Sequence, residues 1–103
     1  MTELNPIIHA PLRLRLCAIL SAVEAAEFHT LRDSLQVADS VLSKHASALA
    51  EAGYLTTRKE TIDGRRTTWI GLTRAGRRAV QEHMRALEEL IGTAAPPARP
   101  GAR

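Results

Sequence analysis

The stretch QVADSVLSKHASALAEAGYL, residues 36–55, decides how the rest of the chain is read. Asp39 or Ser40 can cap a helix, because a short side-chain oxygen accepts from the free N–H groups of a first turn. Leu42, Ala46, Leu49 and Ala50 then recur on one helical face, and Gly53 supplies a left-handed stop. With Asp39 as the cap, the helix covers 40–52 and is about 20 Å long at 1.5 Å per residue. Ser40, Val41, Ser43, Lys44 and Ser47 fall on the opposite face, which is short-chained, polar and almost uncharged.

Upstream, PLRLRLCAILSAVEAA (11–26) places Leu12, Leu16, Ile19, Leu20 and Val23 at the spacing of one helical face, with Pro11 suited to its first turn. Asn5-Pro6 opens a short preceding helix. Glu27 to Thr30 reads as a brief extended link, and Leu31 to Leu35 as further helical turns before a short turn at Gln36–Ala38. Downstream the character changes. Tyr54 to Ile62 is β-prone, Asp63-Gly64 is a hairpin turn, and Arg65 to Leu72 is the returning strand. Thr73 caps a last helix with Val80, Met84, Leu87 and Ile91 at helical spacing. The expected fold is mainly α with a small β-hairpin, in the order helix, helix, helix, hairpin, helix. One domain is expected over residues 1–92, and a disordered Pro/Ala-rich tail, TAAPPARPGAR, over 93–103.

Composition narrows the function. The 103 residues suffice for one domain. An aromatic content of 3% argues against recognition by stacked rings, as single-strand and RNA platforms require. One cysteine, Cys17, excludes a disulfide framework and multi-cysteine metal cages. No Ser/His/Asp ordering with a Gly-flanked nucleophile, phosphate-cradling glycine loop or HExxH is present, so no enzyme is expected. No cofactor or metal is expected either. The absence of a long apolar run and of a signal-peptide pattern in MTELNPIIHAP points away from a membrane and towards the cytoplasm.

The formal charge of +3 conceals an uneven distribution. Residues 1–53 hold 4 basic and 6 acidic side chains, a balance of −2, whereas residues 54–85 hold 8 basic and 3 acidic, a balance of +5. A basic block in an otherwise neutral domain implies a polyanionic partner or, more simply, a solvated face.

Three stretches carry a family likeness. LNPIIHAPLRLRL has a His-x-Pro-x-Arg-Leu pattern (His9, Pro11, Arg13, Leu14). FHTLRDSL followed by LSKHASALAEAGYL reads as a helix-turn-helix, and DGRRTTWIGLTRAGRRAVQEHMRAL as a wing with its final helix. Over about residues 4–91 the chain resembles the MarR/ArsR-like winged helix-turn-helix transcriptional regulators of bacteria, within a small single-domain subgroup. It departs from them at Ala46, where a leucine is usual, which thins the packing between the recognition helix and the core without touching the expected DNA face.

The resemblance implies a sequence-specific regulator of transcription, a repressor, acting as a homodimer on a pseudo-palindromic site in double-stranded DNA. Ser40, Val41, Ser43, Lys44 and Ser47 would meet the major groove, with serines donating to phosphates or base edges and Val41 against a thymine methyl. Arg65 and Arg66 would reach the backbone or the adjacent minor groove from the wing. Strand alternation allows only one of Arg58 and Lys59 to face DNA, and Lys59 is preferred. Arg74, Arg77 and Arg78 open the last helix against its dipole, so a phosphate, or an acidic patch such as Glu24 or Glu27, is expected to offset them. Ile7 and Ile8 with Val80, Met84, Leu87 and Ile91 would form the dimer seam, the alternative being that the last helix packs on its own chain. Larger relatives hold phenolic ligands between extra helices, so an unidentified small-molecule effector is a candidate further partner. His45, beside Lys44, is read as a packing histidine, with contact to a phosphate as the alternative. His29 and His83 are read as unrelated singles, Cys17 as a buried inert thiol, and Gly64 and Gly71 as hairpin glycines. The competing function is a winged-helix module that binds an acidic protein.

Overall fold

The computed structural model describes residues 3–94. In chain order it contains α1 (Pro6–His9), α2 (Pro11–Ser21), β1 (Ala26–Glu27), α3 (Phe28–Leu35), α4 (Asp39–Glu51), β2 (Leu55–Ile62), β3 (Arg65–Leu72) and α5 (Arg74–Ala94). The three strands form one antiparallel sheet in the order β1-β3-β2. The helix, helix, helix, hairpin, helix order read from the sequence is present as α2, α3, α4, β2–β3 and α5, preceded by the short helix α1 at Asn5-Pro6. β1 is added as a two-residue edge that pairs Ala26 with Ile70 and Glu27 with Trp69.

Local chemistry sets most boundaries. Asn5 caps α1 through Oδ1, which accepts from the amides of Ile7 at 2.9 Å and Ile8 at 3.3 Å. Proline at the start of α1 and of α2 costs no intrahelical hydrogen bond there. Gly53, at φ +83°, ends α4 while the Tyr54 amide returns to the Leu49 carbonyl. Asp63 and Gly64 both take positive φ, +50° and +75°, the geometry of the two-residue turn that matches strand twist. Thr73 Oγ1 accepts from the Gly76 amide at 2.9 Å and caps α5.

Several expectations need correction. Val23 is exposed and lies beyond α2, because the helix ends at Ser21. The link expected over Glu27 to Thr30 is extended only to Glu27; Phe28 already starts α3. The cap of α4 is Ala38, with no side-chain hydrogen bond, and Asp39 lies inside the first turn. Ala50 is exposed rather than on the buried face. Gly71 does lie in the returning strand, β3, where a Cβ would run into the Glu24 carbonyl at 2.5 Å. α5 continues through residues 93 and 94, two positions into the expected tail, and the remainder of that tail lies outside the described residues.

A single core joins the helices to the inner half of the sheet. Leu16, Cys17 and Leu20 of α2 meet Leu31 and Leu35 of α3, Leu42, Ala46 and Leu49 of α4, and Leu55, Ile70 and Leu72 of the hairpin. Fully burying one such leucine contributes about 1.5–3 kcal/mol. The outer half of the hairpin makes no such contacts: Thr56 to Lys59 and Thr61 to Arg66 are exposed. The hairpin thus projects from the body as a wing beside α4.

Candidate nucleic-acid interface

α4 is presented by a helix-turn-helix whose turn needs no glycine. Gln36 adopts φ +55° and ends α3, and the Val37 amide returns to the Arg32 carbonyl. Arg32 spans the turn, donating to Asp33 at 3.0 Å and to Asp39 at 2.8 Å. Asp39 therefore braces α4 against α3 instead of capping it, with its charge at the favourable end of the helix dipole.

Leu42, Ala46 and Leu49 turn inward, while Ser40, Val41, Ser43, Lys44 and Ser47 are all exposed. Ser43, Ala46, Ser47 and Ala50 form one wall of a groove of about 520 Å³. Its other walls come from Phe28 and His29 of α3 and from Thr57, Lys59, Thr68 and Ile70 of the hairpin. Ala46, expected to stay clear of the DNA face, is buried yet lines this groove. Lys59 shares the groove with the serines of α4, whereas Arg58 pairs with Glu60 at 3.1 Å. Period-two alternation in β2 separates the two cations.

Arg65 and Arg66 are exposed just past the turn and border a second cleft of about 320 Å³ with Glu27, His29 and Trp69. His29 lines both clefts and lies 3.7 Å from Glu27. Sequence reasoning passed over it because its position between α4 and the wing arises only when α3 packs on the sheet. Arg77 also differs from expectation. It donates to the carbonyls of Val23 at 2.8 Å and Ser21 at 3.5 Å, so backbone oxygens at and just beyond the end of α2 meet its charge, in place of Glu24 or Glu27. Arg74 and Arg78 are exposed.

The expected seam residues divide in two. Ile8 and Val80 are buried within the chain at 0% and 5% exposure and have no surface left to offer a second copy. Ile7 and Leu87 are half-buried, and Met84 and Ile91 are exposed together with Leu90.

His83, read as a lone histidine, is fully buried and joins α5 to the segment that opens α1. The Asn5 amide donates to His83 Nδ1 at 2.9 Å. Nε2 therefore carries the proton and faces His9 Nδ1 at 3.4 Å. Asn5 Nδ2 also donates to the Tyr54 hydroxyl at 3.0 Å. Burial foremost, then His9, lowers the His83 pKa from its ordinary 6.5. Cys17 is buried, and burial pushes its thiol up to about 11 against a smaller opposite effect of Arg13. It stays protonated and out of reach. Among the described residues no group of three or more His, Cys, Asp or Glu is placed to hold a metal, and no helix is long and apolar enough to cross a membrane.

A helix-turn-helix with an adjoining wing defines the winged-helix class. The family model described as a winged helix DNA-binding domain matches residues 12–91, and the chain belongs to that family. An uncharacterized protein of Methanocaldococcus jannaschii is 32% identical over 84 residues, covering 82% of this chain and 91% of that protein. Two solved structures share the fold. A transcriptional regulator homologue from Pyrococcus horikoshii superposes with a TM-score of 0.81 at 24% identity, over 86% of this chain and 89% of that one. The heme sensor PefR from Streptococcus agalactiae, in complex with heme, gives 0.73 at 20% identity, over 85% of this chain but 61% of its own. The winged-helix resemblance drawn from the sequence is thus confirmed for family and fold.

Proposed function

We propose that this winged-helix protein is a cytoplasmic, sequence-specific repressor that binds a pseudo-palindromic operator in duplex DNA as a homodimer. The observation that carries this reading is the groove in which Ser43 and Ser47 of α4 face Lys59 of the wing. Ser40, Val41, Ser43, Lys44 and Ser47 lie in the major groove, where short side chains let the backbone approach the base edges closely. Lys59, Arg65 and Arg66 hold phosphates or the adjacent minor groove and fix the register. Ile7, Met84, Leu87 and Ile91 supply the seam, which sets two α4 helices about 34 Å apart on successive major grooves. A small-molecule effector would act at that seam.

Selection of bound sequences from random duplex DNA tests the reading. A palindromic consensus is expected, together with loss of its binding in Ser43→Ala/Lys44→Ala while the fold is retained. Recovery of no consensus, with capture of acidic protein unaffected by the same double substitution, would replace the operator reading with a protein-binding module.

A further inference from the structure

A helix lying in the major groove is bordered by two phosphate strands, one on each flank. The wing serves one flank of α4. At 3.6 residues per turn, Ser43, Ser47 and Ala50 make the flank that lines the wing groove, whereas Val41, His45 and Ala48 fall on the opposite side. α2 packs against α4, and its Arg13 lies close enough to His45 to act on that ring. Lys44 is exposed at the crest of α4, and His45 of α4 and Arg13 of α2 are half-buried.

This flank is cationic and unbalanced. α2 carries Arg13 and Arg15 and no acidic residue, and Arg13 lies in its first turn, where the helix dipole opposes a cation. Arg13 Nε is buried without a hydrogen-bond partner. The ion pairs among the described residues involve Arg32, Arg58 and His29, and neither Arg13 nor Lys44. Burial first, then the charges of Arg13 and Lys44, press His45 towards its neutral form. A half-buried guanidinium beside a second cation is costly unless an anion joins it.

We propose that Arg13, Lys44 and His45 grip a backbone phosphate of the DNA strand on the flank of α4 opposite the wing. The inference rests on the DNA-binding reading above and adds Arg13 and His45 to its contacts. Arg13 and Lys44 supply permanent charge, and the phosphate draws a proton onto His45 by offsetting the two cations that face it. The contact carries no sequence information; it holds α4 centred between the two strands.

Anisotropy titrations of the selected duplex between ~50 and ~200 mM salt test it, with thermal melts confirming the fold of each variant. Arg13→Gln is expected to weaken binding roughly tenfold and to reduce the log–log salt slope by a part of the about 0.9 that one phosphate per subunit contributes, Lys44 holding the remainder. Arg13→Lys is expected to keep the slope. Wild-type binding tightens as the pH falls from ~7.5 to ~5.5, and His45→Gln loses part of that tightening. Unchanged affinity and slope in a folded Arg13→Gln, with operator binding still dependent on Ser43 and Lys44, would overturn the clamp alone. Wild-type binding that does not depend on Ser43 and Lys44 would remove the operator reading and the clamp with it.

Discussion

Individual residues show where apparently unremarkable side chains are held in demanding positions. His83 accepts from the Asn5 amide through Nδ1, so a second proton on the ring would set two donors against each other in a buried site. Its folded pKa is lowered, so the unfolded chain binds a proton that the folded chain refuses. Its contribution is therefore fully present above the ordinary value of 6.5 and is lost as the pH falls through the lower folded value. His45 shifts in the same direction. Tm is expected to drop between about pH 7 and pH 5, with a smaller drop in His83→Gln; a flat wild-type profile would contradict this. His83→Ala leaves the Asn5 amide without its acceptor and is expected to cost about 1–3 kcal/mol in denaturant unfolding. Gly76 is held by sterics: an added Cβ would collide with the Tyr54 carbonyl, which already accepts from the Thr73 amide at 3.0 Å. Gly76→Ala is expected to destabilise by about 1–3 kcal/mol through forced displacement of the start of α5.

Elements were legible where their signals are local. The polar face of α4, the stop at Gly53, the turn at Asp63-Gly64 and the cap at Thr73 each depend on a few neighbouring residues, and each occurs where the sequence places it. The two-residue β1 was not legible, because it exists only through pairing with β3. The turn before α4 was recognised by its place between helices, but its left-handed Gln36 carries no glycine to announce it. Thr73 links elements as well as capping one. Its hydroxyl donates to the Gly53 carbonyl at 2.6 Å while accepting from Gly76, so one side chain ties the end of α4 to the start of α5. Thr73→Ala is expected to cost about 1–2 kcal/mol, read from the shift in denaturation midpoint at constant m. At the wing, Gly64→Ala places a Cβ at φ +75° in open space. The expected loss is about 1–2 kcal/mol of left-handed strain without any clash, and DNA affinity is expected to fall as the wing loosens.

At the scale of the whole molecule, α5 buries one side and exposes another. Ala79, Val80, His83 and Ala86 face the chain's own core, whereas Met84 is 42%, Leu90 52% and Ile91 65% exposed. The same helix thus serves the fold and offers apolar surface for a seam. Met84→Glu/Ile91→Glu is expected to give a folded monomer by light scattering at micromolar concentration, with Tm lowered only by the lost association and no longer dependent on protein concentration, because neither side chain supports the core. A double variant that is unfolded by circular dichroism would instead place both residues inside the folded unit. Operator affinity is expected to fall with the dimer, since one α4 helix alone reaches only one half-site.

The sequence by itself determined the order of the longer helices and the hairpin, the inward Leu42, Ala46 and Leu49 of α4 and the identity of its polar face. Periodicity, capping and turn chemistry are written in neighbouring residues, and a helix with one apolar face can bury only that face. Packing decided the rest. It brought His29 and Lys59 to the groove beside α4 and turned Arg77 to the carbonyls ending α2. It also withdrew Ile8 and Val80 from the surface and joined His83 to Asn5 across the length of the chain. Each outcome depends on residues far apart in sequence occupying one volume, and no local pattern records that.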